Sequence, residues 1–371
     1  MTERPPLLVS AGEASGDRIA ALTLDALGDS VRAFGMGGVG CRKAGMEVLV
    51  PLTDVAIMGW LPVARRLHAL HRAFRGLQRA ASSRRARLAL LVGFTSFNQA
   101  LGRRLRRDGV RVLWCVAPQV WAWRPSRLQS LRHSADRLAV ILPFEQSLWR
   151  EHGYDAHYVG HPAVEVTRWR AASADDGRRC LAVLTGSRDQ EVRATAGPLL
   201  AAARVWCDRH PSWRAEVLVA SSLSSRTEGF LKRSARSLGL DHKLADPVWG
   251  AAGVMHDYEI ALCASGTASL EAALAGVPPI IGYRCDPMTA FVARRLILTD
   301  HIGLPNVLLG ERAFPELVQG ELQVNHIVAT LQKLHDHLPE HRDACRRVRT
   351  LLQLEDGRKF GERIAGLLDG S

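Results

Sequence analysis

The sequence predicts an α/β protein built from two doubly wound, Rossmann-like domains with parallel sheets and a helical C-terminal tail. Apolar runs of four to six residues recur along the chain, and an amphipathic stretch of helical length follows each of them. Strands of a parallel sheet are covered on both faces, so they show continuous apolar runs rather than an alternating pattern. The chain has 371 residues and is 47% hydrophobic, which is enough for two cores of ordinary domain size.

The predicted strands fall into two sets, which a polar segment separates. In chain order they are residues 7–11, 88–92, 110–115 and 137–142, then 180–184, 216–219, 260–264 and 279–283. The segment between the sets, residues 162–179, has no strand pattern and is typical of an interdomain connection. We therefore expect one domain over residues 1–165, a second over residues 166–323, and a helical tail over residues 324–371 that packs on the first domain or on a second subunit.

The net charge of +12 comes almost wholly from arginine, because the chain has only five lysines. Such a charge favours an anionic partner. The densest basic run, residues 65–87, lies on an apolar helical pattern that lacks the aromatic and glycine-rich features of nucleic-acid-binding modules. We therefore predict a membrane-facing helix and no nucleic-acid partner; a solvated arginine-rich face is the alternative. The predicted membrane contacts are Trp60, Leu61, Arg65 and Arg66.

The N-terminus and the cysteines both favour a cytoplasmic location. Residues 1–6 are not a basic flank followed by an apolar stretch, and no later segment has about 18 uninterrupted apolar residues. The seven cysteines are scattered and form no Cys-x-x-Cys pair, which favours reduced core thiols over a disulfide framework. We therefore expect a soluble protein without a signal peptide.

The loops after the apolar runs are the predicted functional sites, because open parallel sheets bind ligands beyond the carboxyl ends of their strands. The first such loop, residues 11–17, has two glycines that allow a tight turn before a helix. Its spacing is neither a dinucleotide fingerprint nor a P-loop. Its polar side chains are Glu13, Ser15 and Asp17, of which the two carboxylates are suited to orient a hydroxyl group. A helix cap with turn glycines is the alternative explanation.

A loop in the C-terminal half is predicted to hold a diphosphate. Gly186, Ser187 and Arg188 follow an apolar run and lead into a helix that carries Glu191. Free backbone N–H groups at a helix start, a small hydroxyl and a guanidinium together favour that ligand. An ordinary strand-to-helix turn would explain the glycine and the serine but not the arginine.

A second loop in the same half repeats this design with Ser265, Gly266 and Thr267. Glu271 follows within the first turns of the helix and is the type of residue that accepts ribose hydroxyls, although an acidic residue there also favours the helix dipole. A weaker third cluster of polar side chains interrupts apolar sequence where a nucleotide could lie. It consists of Asn306, Glu316 and Gln319.

Two further candidates follow strands of the N-terminal half. Trp121 is one of two tryptophans in residues 117–125, which also contain two prolines and an arginine. Core packing is its alternative role. His161 lies in a turn, either as a ligand contact or as a satisfied loop histidine. No Asp-x-Asp spacing and no Cys-x-x-Cys pair occurs in the sequence. We therefore expect no metal ion and no cofactor.

Eight short strings carry a family resemblance and occur in the family's order over nearly the whole chain. They are residues 11–17, 58–59, 120–124, 141–145, 159–161, 186–191, 264–271 and 304–306. Together they resemble the lipid-A-disaccharide synthase family. The resemblance implies a GT-B glycosyltransferase that moves a diacylated glucosamine from UDP to the 6-hydroxyl of diacylglucosamine 1-phosphate with inversion. It also implies that the UDP site is lined by Arg188, Glu271, Asn306, Glu316 and Gln319.

The chain departs from the family pattern at residues 92–98, which read Val-Gly-Phe-Thr-Ser-Phe-Asn. In place of the six residues from Gly93 to Asn98 the family usually has the eight residues Gly-Ile-Asp-Ala-Pro-Asp-Phe-Asn, including a carboxylate implicated as the catalytic base. Both aspartates are missing and two residues are deleted, while Asn98 remains as a candidate on the acceptor rim. An inverting transfer needs a base near the acceptor hydroxyl, and a serine or threonine hydroxyl is too weak. We expect Glu13 first and Asp17 second in that role, or a catalytically weak protein.

The resemblance implies an acceptor-binding N-terminal domain and a UDP-sugar-binding C-terminal domain. The expected partners are UDP-diacylglucosamine, diacylglucosamine 1-phosphate and the inner-membrane surface, with the protein cytoplasmic and peripherally associated; a homodimer is compatible with this arrangement. Two alternatives stay open. One is a catalytically impaired relative that binds UDP-sugar or lipid, and the other is a different GT-B sugar-nucleotide enzyme, such as a hexosamine epimerase.

Overall fold

The computed structural model describes residues 4–52, 63–118, 131–170, 179–246, 249–285 and 300–369, with only the backbone of residues 63–67. Contacts divide the chain into two units. Unit 1 comprises residues 1–162 and 354–371, and unit 2 comprises residues 163–353. The boundary therefore lies at residue 162 rather than at the expected residue 165, because Ala163 belongs to a core cluster of unit 2.

Each unit is built around one sheet of short strands, whose central members are buried. The strands of unit 1 are β1 (Pro6–Ala11), β2 (Arg32–Gly37), β3 (Glu47–Pro51), β4 (Leu88–Val92), β5 (Arg111–Cys115), β6 (Arg137–Val140) and β7 (Ala156–Tyr158). Those of unit 2 are β8 (Arg179–Leu184), β9 (Trp213–Val219), β10 (Asp241–Leu244), β11 (Ile260–Ala264), β12 (Pro279–Tyr283) and β13 (Glu316–Val318).

Helices follow most of the strands, as the sequence predicts. In chain order the described helices are α1 (Ala14–Leu27), α2 (Val39–Lys43), α3 (Val63–Ser83), α4 (Thr95–Arg107), α5 (Pro143–Glu151), α6 (Ala163–Val166), α7 (Asp189–Arg209), α8 (Ser225–Ser237), α9 (Thr267–Leu274), α10 (Leu304–Leu309), α11 (Val324–Asp336), α12 (Leu338–Leu352) and α13 (Phe360–Asp369).

Both sheets are parallel throughout the described strands, in the orders β3-β2-β1-β4-β5-β6-β7 and β10-β9-β8-β11-β12-β13. The strand order reverses between β1 and β4 in unit 1 and between β8 and β11 in unit 2. These are the topological switch points, where the loops beyond the carboxyl ends diverge and leave a crevice for a ligand. The predicted fold of two doubly wound parallel sheets is confirmed.

Helices on both faces of the sheets account for the continuous apolar runs. In β1, Leu8 belongs to one buried cluster of unit 1, whereas Leu7 and Val9 belong to the cluster on the other face. The same alternation occurs in β8, where Leu181 and Ala182 belong to different clusters of unit 2. Each fully buried side chain of this size contributes roughly 1.5–3 kcal/mol.

The C-terminal helices do not form one tail, contrary to the expectation for residues 324–371. Helices α11 and α12 insert Ile327 and Val348 into core clusters of unit 2. Helix α13 instead packs against α1, with Phe360 and Ile364 in the core of unit 1. The two helices approach so closely that a Cβ at Gly361 would lie 2.1 Å from a backbone oxygen of α1. The part of the expected tail that returns to unit 1 is therefore a single helix.

Candidate functional site

The loop between β1 and α1 presents a carboxylate at the switch point of unit 1. Glu13 occupies the N-cap position of α1, its side chain is exposed, and it accepts no capping hydrogen bond from the helix. Ser15 is also exposed, in the first turn. The structure therefore leaves these two side chains accessible beyond the carboxyl end of β1, where a ligand of a doubly wound sheet binds.

Asp17 has a structural role, and its proposed use as a second candidate base is corrected. Its carboxylate accepts backbone N–H groups from Gly38 at 2.6 Å, Gly40 at 2.8 Å and Cys41 at 3.1 Å. The side chain is only 7% exposed. These bonds satisfy N–H groups at the start of α2, which the helix itself leaves without acceptors. A carboxylate saturated in this way and buried is poorly placed to take a proton from a substrate.

Asn98 is also structural, so its expected place on the acceptor rim is corrected. The residue is fully buried, and Ser10 donates from Oγ to its Oδ1 at 2.6 Å. Its Nδ2 donates to the carbonyl oxygens of Ser10 and Val92 at 3.2 Å and of Gly93 at 2.9 Å. Asn98 thus joins the ends of β1 and β4 on either side of the switch point.

A phenylalanine ring occupies the loop in which the resembling family carries its aspartates. Gly93 and Phe94 both have positive φ, 51° and 46°, so the chain turns through two left-handed residues before α4 begins. The Phe94 ring lies over the backbone of Gly12, where a Cβ atom would be 2.2 Å from the ring. Among the described residues of this loop there is no carboxylate, and Glu13, which follows Gly12, is the exposed acidic side chain of the opposing loop.

Of the remaining predicted residues of unit 1, the structure describes the side chain of His161 alone. His161 is 7% exposed, and burial, helped by the charge of Arg18, lowers its pKa to about 4, so the imidazole is neutral. The role of His161 as a ligand contact stays a prediction. The predictions for Trp60, Leu61 and Trp121 lie outside the described residues, and of Arg65 and Arg66 only the backbone, in α3, is described.

In unit 2, the loop after β8 brings together the residues predicted to hold a diphosphate. Glu191 accepts the backbone N–H of Ser187 at 3.1 Å and Nη1 of Arg188 at 2.8 Å. Gly186 has φ 109°, and a Cβ there would lie 2.7 Å from Cβ of Glu191. The Glu191 carboxylate therefore occupies the place of an anion at the start of α7, held by the groups that favour a phosphate oxygen. Arg188 itself is 74% exposed.

The loop after β11 leaves open space at the start of α9. Gly266 has φ 156°, and no atom lies within 4 Å of the position that a Cβ would occupy there. Gly266 and Thr267 are exposed, whereas Ser265 is partly buried and donates from Oγ to the Ile302 carbonyl at 3.3 Å. Glu271 is 7% exposed and lies one turn inside the helix. The structure thus exposes the loop backbone but buries the carboxylate that was expected to meet a ribose.

Asn306 and Glu316 form a buried hydrogen-bonded pair, which corrects their expected place in the lining of the nucleotide site. Nδ2 of Asn306 donates to Oε1 of Glu316 at 2.8 Å. The same carboxylate accepts the backbone N–H groups of Ile302 at 3.1 Å and Gly303 at 2.9 Å. Asn306 also accepts the Phe314 N–H at 2.9 Å. These bonds fix the turn before α10 and occupy both side chains.

Gln319 lies just beyond β13 and leads to residues that the sequence analysis missed. Its side-chain Nε2 donates to Sγ of Cys285 at 3.0 Å, and its backbone oxygen accepts Nη2 of Arg284 at 3.3 Å. Ser222, after β9, donates from Oγ to the Ser187 carbonyl at 2.9 Å and so supports the diphosphate loop. The missed residues Arg284, Cys285 and Ser222 all follow a strand at its carboxyl end, and that position was the signal that could have found them.

A groove of about 600 Å³ opens elsewhere on unit 1, at the amino end of β5 and the C-terminal end of α4. Its only acid, Asp136, is held by Arg106 at 2.8 Å and by the Val112 N–H at 2.8 Å. The lining residues are Arg103, Arg106, Arg107, Gly109, Val110, Arg111, His133 and Asp136. Because it lies at the opposite edge of the sheet from the switch point, the groove is not part of the candidate site.

Comparison with known proteins identifies the family. A family model described as lipid-A-disaccharide synthetase matches residues 7–362. The lipid-A-disaccharide synthase of Geobacter sulfurreducens is 34% identical over 375 residues, covering 98% of this chain and 96% of the relative. The chain belongs to the lipid-A-disaccharide synthase family. Another synthase of this family, from Anaeromyxobacter dehalogenans, is 36% identical over 343 residues, covering 88% of this chain and 87% of the relative.

Solved structures place this family member in the GT-B fold. MurG of Acinetobacter baumannii matches with a TM-score of 0.58 at 13% identity, over 100% of both chains. A UDP-GlcNAc 2-epimerase of Neisseria meningitidis, bound to UDP-GlcNAc, matches with a TM-score of 0.60 at 10% identity, over 98% of each chain. In the part of the chain that the structure describes, no helix has both the length and the apolar character needed to span a membrane.

Proposed function

We propose that this chain is an inverting glycosyltransferase that joins UDP-2,3-diacylglucosamine to 2,3-diacylglucosamine 1-phosphate, giving lipid A disaccharide 1-phosphate and UDP. Membership in the synthase family over nearly the whole chain supports the reaction. The observation that carries the proposal is the loop after β8, where Arg188 and the Ser187 N–H converge on one carboxylate at the switch point of unit 2. The same groups are suited to a nucleoside diphosphate.

In this proposal the diphosphate displaces the Glu191 carboxylate and takes its hydrogen bonds. The Arg188 side chain is exposed, so it can contact a ligand without first breaking a buried interaction. The first-turn N–H groups of α9, at the loop of Gly266 and Thr267, supply further donors, since helix N-terminal N–H groups have no acceptors within the helix. Departure of UDP develops negative charge on the diphosphate, so donors fixed in advance stabilise the transition state.

The proposed base is Glu13, in unit 1. Its carboxylate is exposed in the loop after β1, whereas the three hydrogen bonds to Asp17 remove that residue from consideration. Glu13 would accept the proton of the attacking 6-hydroxyl as the sugar is transferred. A general base of this kind contributes typically about a hundredfold to ten-thousandfold in rate.

The proposed membrane contact is the exposed face of α3. Ala73, Leu77 and Ala81 are buried against unit 1, and Arg72, Arg75 and Arg79 are exposed. Residues 63–83 contain no acidic side chain. A helix with one face packed and the other basic and free of acidic residues suits the surface of an anionic membrane, where both acylated substrates would reside. The contacts of Trp60, Leu61, Arg65 and Arg66 stay predictions, as does a homodimer.

The test is to incubate the purified protein with both acylated substrates and to measure the disaccharide by mass spectrometry. Disaccharide that depends on both substrates supports the proposal. UDP binding without product would instead indicate the catalytically impaired relative, which Phe94 in place of the family's aspartates favours. Parallel reactions with EDTA test the expectation that no metal ion is required. Epimerised UDP-sugar without transfer would indicate a different sugar-nucleotide enzyme.

A further inference from the structure

We propose that Phe94 is a specificity-determining residue of unit 1, and that its ring contacts an acyl chain of the acceptor at the switch point. This inference rests on the proposed function, since it assigns part of the acylated acceptor to a named side chain. It begins from the finding that an aromatic ring, rather than a polar group, covers the Gly12 backbone at the place where doubly wound sheets receive a ligand.

The position of the ring is fixed by the backbone beneath it. A left-handed conformation is sterically unfavourable for a residue as large as phenylalanine, and it persists only where the surroundings impose it. Here Asn98 holds the carbonyl oxygens of Val92 and Gly93, and the Gly93 N–H donates to the Cys115 carbonyl at 3.0 Å. Asn98 is therefore the positioning residue for the Phe94 ring.

Phe94 is one end of a phenylalanine row that consists of Phe94, Phe97 and Phe74. The ring centroids of Phe94 and Phe97 are 5.3 Å apart, and those of Phe97 and Phe74 are 6.0 Å apart in an edge-to-face arrangement. All three side chains are partly buried and pack on the same core cluster. The row runs from the switch-point loop to α3, the helix that carries the exposed basic face.

The chemistry of the row selects one part of the substrate. Its exposed surface offers no hydrogen-bond partner for a sugar hydroxyl or a phosphate, whereas each methylene group that it removes from water is worth about 0.8 kcal/mol. The two acyl chains are the apolar parts of the acceptor. Glu13, next to Gly12 in the opposing loop, supplies the polar group for the reacting hydroxyl. The phenylalanine row therefore binds an acyl chain, and the Glu13 carboxylate interacts with the sugar hydroxyl.

The experiment compares the binding of two forms of diacylglucosamine 1-phosphate, dihexanoyl and didecanoyl, in the same nonionic detergent. The Phe94→Ala variant should raise the Kd of the long-chain form by about tenfold and that of the short-chain form by much less. The Kd of the short-chain form divided by the Kd of the long-chain form, here called the Kd ratio, should therefore fall. Phe94→Leu should keep most of the ratio. Phe230→Ala, which truncates a phenylalanine that is 44% exposed on α8 of unit 2, is the matched control and should leave the ratio unchanged.

A second variant guards against misfolding. Phe94→Gly removes the ring and also suits the left-handed backbone, so it should melt near the wild-type temperature and show the same loss of chain-length preference. If both Phe94→Ala and Phe94→Gly keep the wild-type Kd ratio, the inference is wrong. Because the readout is binding, a wild-type protein that prefers the long chain but makes no disaccharide would refute the proposed function and leave the assignment of Phe94 standing.

Discussion

The amide of Asn306 donates to the carboxylate of Glu316 at 2.8 Å, and both side chains are buried. Two backbone N–H groups, from Ile302 and Gly303, point to the same carboxylate. A closed set of hydrogen bonds of this kind holds the turn before α10 in one conformation. Both residues had been expected among the contacts of UDP, and the structure gives them a role in shaping unit 2 instead.

Glu316→Ala should therefore destabilise unit 2. The substitution removes the acceptor of the Ile302 and Gly303 N–H groups and of one Asn306 amide N–H, while the Asn306 amide keeps its bond to the Phe314 carbonyl at 2.8 Å. A buried group that loses its acceptor costs about 1–3 kcal/mol. Urea unfolding should report a loss of at least about 2 kcal/mol. Glu311→Ala removes an exposed carboxylate that pairs with Arg347, and it should change stability by less than about 1 kcal/mol. An unchanged unfolding midpoint for Glu316→Ala would contradict the structural role.

Substitution of Glu13 should affect catalysis, whereas substitution of Asp17 should affect stability. Glu13→Gln should lower kcat by about a hundredfold or more with little change in the unfolding midpoint, because the exposed side chain acts only on the substrate. Asp17→Asn should lower the stability of unit 1 by about 1–3 kcal/mol, because it weakens acceptors for three backbone N–H groups, while kcat per folded molecule stays close to wild type. Full activity of Glu13→Gln in the disaccharide assay would exclude it as the base.

Arg188 and Glu191 should affect UDP binding with opposite signs. Arg188→Ala removes the proposed charge-assisted contact to the diphosphate and should raise the Kd of UDP at least about tenfold in calorimetric titration. Glu191→Gln removes a negative charge that competes for the same donors and should lower that Kd. Arg204→Ala, on the exposed side of the same helix and paired with Asp208, serves as the control. Weaker UDP binding by Glu191→Gln would mean that the carboxylate contacts the nucleotide directly.

The basic face of α3 should account for membrane binding. The triple variant Arg72→Gln, Arg75→Gln, Arg79→Gln should lose most of its affinity for vesicles that contain phosphatidylglycerol, since each basic residue near such a surface contributes about 1 kcal/mol. Wild-type binding should also weaken as salt is added. A control with the same charge change in unit 2 replaces Arg226, Arg233 and Arg236 of α8, and sedimentation of both variants with vesicles decides between the two helices. Equal losses would assign binding to net charge alone.

His161 should make unit 1 sensitive to acid. Burial lowers the pKa of this imidazole to about 4, whereas in the unfolded chain it takes up a proton near pH 6.5. Between these values the unfolded state binds more protons, so stability that is fully present above about pH 6.5 is lost as the pH falls toward 4, by about 3 kcal/mol. Urea unfolding measured at several pH values in this range should show that the free energy of unfolding of His161→Gln depends less steeply on pH than that of the wild type. The exposed His133→Gln should keep the wild-type slope.

The sequence predicted all the strands that have neighbours on both sides except one. The eight predicted apolar runs correspond to β1, β4, β5, β6, β8, β9, β11 and β12, and the exception is β2. Strands β3, β7, β10 and β13 lie at sheet edges and need no continuous apolar run. Strand β2 is central, but Gly35 interrupts its pattern: a Cβ there would lie 1.9 Å from the Val9 carbonyl, so only glycine allows the two strands to pair.

For the candidate site, the positions of the loops could be predicted from the sequence, but the side-chain contacts could not. Loop positions follow from strand order, so the loops that carry Glu13, Arg188 and Gly266 could be located from the sequence. The side-chain partners could not, because Gly38 is 21 residues from Asp17 and Ser10 is 88 residues from Asn98. A polar residue beside a predicted ligand loop has two possible uses, binding a ligand or tying the loop to its neighbour. Only the three-dimensional contacts distinguish them.

The return of α13 to unit 1 sets an order for folding during synthesis. Unit 2 is one continuous stretch of chain and can fold as soon as it has been translated, whereas the core around α1 lacks Phe360 and Ile364 until residues after unit 2 emerge from the ribosome. Until then the surface of α1 that α13 covers is open to solvent and to other nascent chains. Unit 1, although it is begun first, is therefore completed last, and fragments cut after residue 162 should aggregate for want of a single helix.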